Sequence, residues 1–193
     1  MGENLRKSMV GKFKYPKGIN IYHMVQKCNF LKVLEVFFIE PTTPHYIKGI
    51  SKQIKLAPTS VRTYVKKLLK EGLIKKRLTK PFSGFVANRE NEDFIFYKRV
   101  YNLYSLKELV NFIVSQLYPK LIVVYGSYSF GEDVEESDVD ILVLAKSKKE
   151  INLEKFEKML KRRIHLIRIE DFNKLESAMK KKIWNGIVLY GGF

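Results

Sequence analysis

The sequence predicts an α+β chain in two unlike parts: three helices with a β-hairpin, then a small mixed α/β sheet with flanking helices. Three observations carry that expectation. Apolar residues recur at helical spacing between Asn29 and Glu71, and two short stretches, LIVVY (121–125) and VDILVLA (139–145, with its apolar run at Ile141–Ala145), read as buried strands. The third is charge: 36 Lys and Arg against 20 Asp and Glu give a net +16 over 193 residues. Residues 1–118 hold 22 basic and 8 acidic residues (net +14), whereas residues 119–193 hold 14 and 12 (net +2). A polyanion-binding module joined to a near-neutral one would show that split.

The elements follow in order. Residues 1–26 have few apolar positions and no period, so they read as a basic arm. From Asn29, which can cap, the residues Phe30, Leu31, Val33, Leu34, Phe37 and Phe38 mark a first helix that Pro41 stops. A short second helix covers about His45–Ile54, and a turn at Lys55–Pro58 leads to a third, Thr59–Glu71. There Val61, Tyr64, Val65, Leu68 and Leu69 form a buried stripe, Pro58 sits at the first helical position, and Gly72 ends the run. Leu73–Leu78 and the aromatic stretch Phe94–Tyr101 read as the two strands of a hairpin with a long tip. A helix over Ser105–Leu117, stopped by Pro119, opens the second part. Strands at Lys120–Tyr125 and Val139–Ala145, a helix at Leu153–Arg162, an outer strand at Ile164–Ile169, a helix at Phe172–Ile183 and a terminal strand at Gly186–Tyr190 complete it. The expected division is therefore 1–26, 27–104 and 105–193.

Composition excludes several classes. At 46% hydrophobic residues the chain can build packed cores. No apolar run approaches the ~20 residues of a membrane helix. The basic N-terminus lacks the apolar stretch of a secretory signal, and one cysteine, Cys28, forms no internal disulfide framework. The expected location is the cytoplasm.

Helix three running into a hairpin, TSVRTYVKKLLKEGLIKKR (59–77), resembles the winged helix-turn-helix family over residues 27–104. The resemblance implies DNA binding, with helix three in the major groove and the wing on flanking backbone. Thr59, Arg62, Thr63 and Lys66 would then face the groove, and Lys75, Lys76, Arg77 and Lys80 would touch phosphates. Phosphate contacts would supply most of the affinity, and base contacts the specificity.

The most informative stretch is VVYGSYSFGEDVEESDVDILVLA, residues 123–145. A Gly126-Ser127 turn after a strand allows backbone and hydroxyl to approach a phosphate, since glycine presents no side chain. Asp138 and Asp140 are two apart, so in an extended segment both carboxylates face one side while Val139 turns inward. Two such hard oxygen ligands suit Mg²⁺, or Mn²⁺, with phosphate oxygens completing the shell. That arrangement would favour attack at an α-phosphorus with departure of pyrophosphate.

The pattern of Gly126-Ser127, Gly131 and Ser137-Asp138-Val139-Asp140 between apolar strands resembles the DNA-polymerase-β-like nucleotidyltransferase superfamily, in particular its minimal members, over residues 105–193. The resemblance implies that Gly126 and Ser127 hold a nucleoside triphosphate, ATP for preference, and that Asp138 and Asp140 are the catalytic metal ligands. It also admits a toxin partner protein, as small family members often serve beside one. Two positions depart from the family pattern. Phe130 stands where a basic residue is common, and His165, in RIHLI, stands where a third carboxylate is expected. His165 is either a base working near neutral pH or a strand residue with no chemical role.

Two functions compete. One is Mg²⁺-dependent transfer of NMP from an NTP to a hydroxyl, carried with a DNA-binding winged helix. The other is a DNA-binding transcription regulator whose second domain is a non-catalytic nucleotide sensor or dimerisation module; resemblance to winged-helix regulators, which commonly dimerise, would imply a homodimer. The other candidates read as structural: His23 and His45 as surface or turn residues, Cys28 as a packed thiol, Trp184 as a core or interdomain anchor. Glu132, Asp133, Glu135 and Glu136 read as a solvated acidic loop, and Glu170 and Asp171 as helix caps.

Overall fold

Helix α1 (Asn29–Ile39) buries Val33, Leu34, Val36, Phe37 and Phe38 against two further helices, α2 (Ile47–Ile54) and α3 (Pro58–Lys70). These elements belong to a computed structural model whose described residues are 28–78 and 83–192. The expected basic arm and Lys80 lie outside them. Helix α3 keeps the expected form: Pro58 opens it, Val61, Val65 and Leu68 are buried, and Gly72 follows it at φ +70°. Strands β1 (Ile74–Arg77) and β2 (Gly84–Ala87) pair antiparallel with Ile74 opposite Ala87. His45 extends the hairpin through a bridge to Phe85, and its ring donates to the Glu40 carbonyl at 2.8 Å, so it is buried rather than on the surface.

The hairpin corrects the sequence reading. Its second strand is the four residues Gly84–Ala87, and the aromatic stretch Phe94–Tyr101 is instead part of helix α4 (Glu92–Ser105). The Asn91 side chain caps that helix by accepting from the Phe94 N–H at 2.8 Å, and Glu92 and Asp93 lie in its first turn. The helical period was hidden because its buried stripe is Phe94, Lys98 and Asn102, two of them polar. Meanwhile Phe96, Tyr97 and Val100 are exposed. Leu106 then separates α4 from α5 (Lys107–Leu117), so the helix expected from Ser105 begins two residues later.

The second part is a four-stranded sheet in the order β5-β4-β3-β6, with β3 (Leu121–Tyr125), β4 (Val139–Leu144), β5 (Ile164–Ile169) and β6 (Ile187–Gly191). Strand β3 is antiparallel to both β4 and β6, while β4 and β5 are parallel and joined through α7 (Glu154–Leu160). Short helix α6 (Ser127–Phe130) follows β3. One sheet face, with Ile122, Val124, Val139, Ile141 and Val143, packs on Leu109, Ile113 and Leu117 of α5 and on Phe156 and Leu160 of α7. The other face, with Leu121, Val123, Tyr125 and Leu142, packs on Ile183 of α8 (Ser177–Trp184). The helix expected over Phe172–Ile183 is split: a 3₁₀ turn at Phe172–Lys174 is capped by Asp171, and extended Leu175 precedes α8. Trp184 is 71% exposed and anchors no core, because it follows the buried Ile183 round onto the outer face of α8. Cys28 is also exposed. Among the described residues no helix is long and apolar enough to cross a membrane.

Candidate active site

At the end of β3 the chain turns through Gly126, at φ +73° and ψ −167°. A Cβ there would lie 2.6 Å from Asp140 Oδ2, so only glycine lets the turn sit against that carboxylate. The Ser129 hydroxyl donates to the Gly126 carbonyl at 2.7 Å, and the Glu132 N–H donates to the Ser127 carbonyl at 3.0 Å, which closes α6 into a tight loop. Gly131 has a different reason for being glycine. At φ +76° its Cβ would meet the Ile95 carbonyl at 2.6 Å and the Arg99 nitrogen at 2.8 Å, so the motif backbone packs directly on α4.

Across the sheet, Tyr125 pairs with Asp140 and Asp140 with His165. Asp140 and His165 therefore stand side by side on one face, and the His165 Nδ1 lies 3.0 Å from Asp140 Oδ1. The expected alternation holds: Val139 is fully buried, whereas Asp138 is exposed and Asp140 partly so. Ser137 shapes the approach, its hydroxyl accepting from the Val134 N–H at 2.9 Å. Asp138 lines a cavity of about 660 Å³ together with the acids Glu135, Glu136 and Glu157 and the bases Lys158, Lys161, Arg162 and Arg163, while Gly126, Ser127 and Asp140 are not among its walls. Beside Asp140, the buried Tyr125 hydroxyl has no hydrogen-bond partner among the described residues. Burial, and next the Asp140 charge, push its ionisation upward.

The donors near this point are two carboxylates and an imidazole already bonded to one of them. Among the described residues no group of three or more His, Cys, Asp or Glu side chains is placed to hold a metal ion. Two carboxylates still fit Mg²⁺, which keeps few protein ligands and fills its octahedron from phosphates and water.

The acidic loop is the main feature the sequence reading missed. Asp133 is 1% exposed and receives Lys98 Nζ at 2.8 Å, Asn102 Nδ2 at 2.7 Å and Arg162 at 3.4 Å. Lys98 also donates to the Phe38 carbonyl at 2.7 Å, and Arg162 to the Ile39 carbonyl at 2.6 Å, which satisfies the end of α1. Burial lowers the Lys98 ammonium to about 8, against the opposing pull of Asp133. Glu135 accepts from the backbone N–H and the hydroxyl of both Thr42 and Thr43, at 2.8–2.9 Å. Burial alone would raise its carboxyl, but bonds from its own backbone and the two threonines outweigh it and hold the carboxyl below its ordinary value. Only Glu132 and Glu136 are exposed as expected. The available signal was Lys98 and Asn102 four residues apart in an otherwise aromatic segment, one turn of a helix.

The residues expected to meet DNA are exposed on α3 (Thr59, Arg62, Thr63, Lys66) and on β1 (Lys75, Lys76, Arg77). Three of these side chains are engaged within the chain: Lys75 with Glu90 at 3.2 Å, Arg77 with the Thr42 carbonyl at 3.0 Å, and Thr63 with the Thr59 carbonyl at 3.1 Å.

Known proteins bear on the second part. A search of curated proteins returned no match. A solved structure described as "Crystal structure of the toxin-antitoxin with AMP-PNP" is 24% identical, covering 47% of this chain and 74% of that one, with a TM-score of 0.36. The family model "Polymerase beta, Nucleotidyltransferase" matches residues 107–192, the stretch that carries Gly126, Ser127, Asp138, Asp140 and His165. That stretch is similar to the polymerase-beta nucleotidyltransferase family.

Proposed function

We propose that the chain transfers NMP from an NTP, ATP for preference, to a hydroxyl acceptor, and that its first part is a winged helix bringing this site to DNA. The observation that carries the proposal is the register Tyr125–Asp140–His165, which sets the Gly126-Ser127 turn directly beside Asp140 within the stretch that matches this family model. In this reading Gly126 and Ser127 admit the triphosphate, and Asp138 and Asp140 hold Mg²⁺ or Mn²⁺. The ion, when bound, would neutralise phosphate charge and polarise the α-phosphorus. Lys158, Lys161 and Arg163 line the same cavity as Asp138, alongside Glu135, Glu136 and Glu157, and would offset the charge of an anionic leaving group or acceptor. The acceptor oxygen bonds to the α-phosphorus as the α–β anhydride breaks and pyrophosphate leaves. The test is label transfer from each α-labelled NTP with Mg²⁺, comparing the wild type with Asp138→Ala plus Asp140→Ala. Transfer by the wild type that the double variant loses is the expected result; no transfer or nucleotide binding by either sinks the proposal.

A second reading makes the domain a non-catalytic module of a DNA-binding regulator. The contact between His165 and Asp140 favours it, because an imidazole already holds one oxygen that a cation would use. DNA binding that falls steeply with salt, unchanged in the double aspartate variant and without label transfer, would select it. A toxin partner and a homodimer are further proposals of the family reading, tested by co-purification and light scattering.

A further inference from the structure

A second cavity, of about 690 Å³, is lined by residues of α1, α4 and α7 and shares no lining residue with the Asp138 cavity. Its walls are apolar and aromatic, with Phe30, Phe38, Phe96, Tyr97, Tyr101 and Tyr104 supplying most of the rings. Volume and lining fall in the range of small-molecule sites. In a chain of net charge +16, the charged residues lining it, among the described residues, are the acids Glu35 and Glu71. Glu35 is positioned by the Tyr101 hydroxyl, which donates to it at 2.9 Å. Lys67 Nζ lies 4.9 Å from the Phe30 ring centre and 4.0 Å from Glu71, so it partly offsets the Glu71 charge. Aromatic faces attract cations through their quadrupole, and carboxylates add a charge of the right sign.

We propose that this cavity binds a lipophilic monocation, with the apolar body among the rings and the positive centre toward Glu35 and Glu71. The site is separate from the nucleotide reading and does not depend on it. Its inner wall includes Tyr128, whose hydroxyl bonds Ser105 at 2.8 Å and which follows Ser127 in α6. An occupant would therefore touch the helix that begins at the Gly126 turn.

Calorimetric titration of the full chain with tetraphenylphosphonium and with tetraphenylborate tests the proposal, since the two ions match in shape and differ in charge sign. General attraction to a +16 chain favours the anion, so preference for the cation would have to come from a local site. Expected is saturation at one cation per chain, with a Kd lower than the anion's by roughly tenfold. Glu35→Gln with Glu71→Gln should weaken the cation by about fivefold and leave the anion unchanged. Val100→Arg, an exposed position on the cavity wall, should abolish cation binding with an unaltered thermal melt. Equal or tighter binding of the anion, or a cation Kd that neither variant moves, overturns the proposal. So does a dimer by light scattering that binds no cation, because a second copy would then be the occupant.

Discussion

Removing the Asp133 carboxylate should destabilise the fold far more than loss of a surface acid. Asp133→Ala leaves Lys98 (side chain 1% exposed) and Arg162 (4%) buried without their carboxylate, and deprives Asn102 of an acceptor. Breaking a buried pair on one side costs about 3–5 kcal/mol. Lys98 keeps the Phe38 carbonyl and Arg162 keeps the carbonyls of Ile39 and Lys161, which places the loss near the lower end, about 3 kcal/mol. In urea, with a slope of roughly 2 kcal/mol per molar, the midpoint should fall by about 1.5 M without a change in slope. Adding Lys98→Met to Asp133→Ala should recover at least half of the loss, because the cost is an unpaired charge and not a missing contact. A midpoint shift under about 0.5 M, or no recovery in the double variant, would refute the reasoning.

Three further outcomes follow from the same geometry. Burial lowers Lys98 from 10.5 to about 8, so between those values the unfolded chain holds a proton that the folded chain has released, and stability rises with pH. Relative to Lys98→Met, the wild type should gain stability from about pH 8 to 10.5 and lose it as pH falls through 8; a flat difference in urea midpoints is the contrary result. Gly126→Ala, with its Cβ at 2.6 Å from Asp140 Oδ2 and φ at +73°, should lose about 1–3 kcal/mol in the same assay, and an unchanged midpoint would argue against that close approach. His165→Asp places a third carboxylate beside Asp140 and should tighten Mn²⁺ binding by about tenfold in calorimetry, which unaltered affinity would contradict.

The sheet was legible because its strands carry the signal of full burial. Leu121–Tyr125 is a continuous apolar run and Val139–Leu144 is apolar apart from Asp140, and both lie at the centre of the sheet. Helix α3 was legible for the opposite reason, since it is amphipathic, with Pro58 at its start and Gly72 after its end. Helix α4 was not. Its inward residues Lys98 and Asn102 are buried because distant Asp133 and the end of α1 need donors, and its exposed face carries Phe96 and Tyr97. No local pattern encodes a requirement set 31 residues away. The acidic loop misled in the same way, because Asp133 and Glu135 look solvated until Lys98, Arg162, Thr42 and Thr43 come to meet them.

By itself the sequence determined the chemistry on offer: an uneven charge, a Gly-Ser turn, two aspartates on one face, and a histidine in place of an acid. These are properties of residue type and short spacing, and they survive without knowledge of the partners. Only the tertiary structure decided what those groups touch. Parallel pairing of β4 with β5 brought His165 to 3.0 Å from Asp140. Packing of α4 against the motif loop made Gly131 obligatory, and Lys98, Asn102 and Arg162 meet the buried Asp133. Strand register and the pairing of buried charges are set by contacts far apart in the chain, so no reading of neighbours along it can fix them.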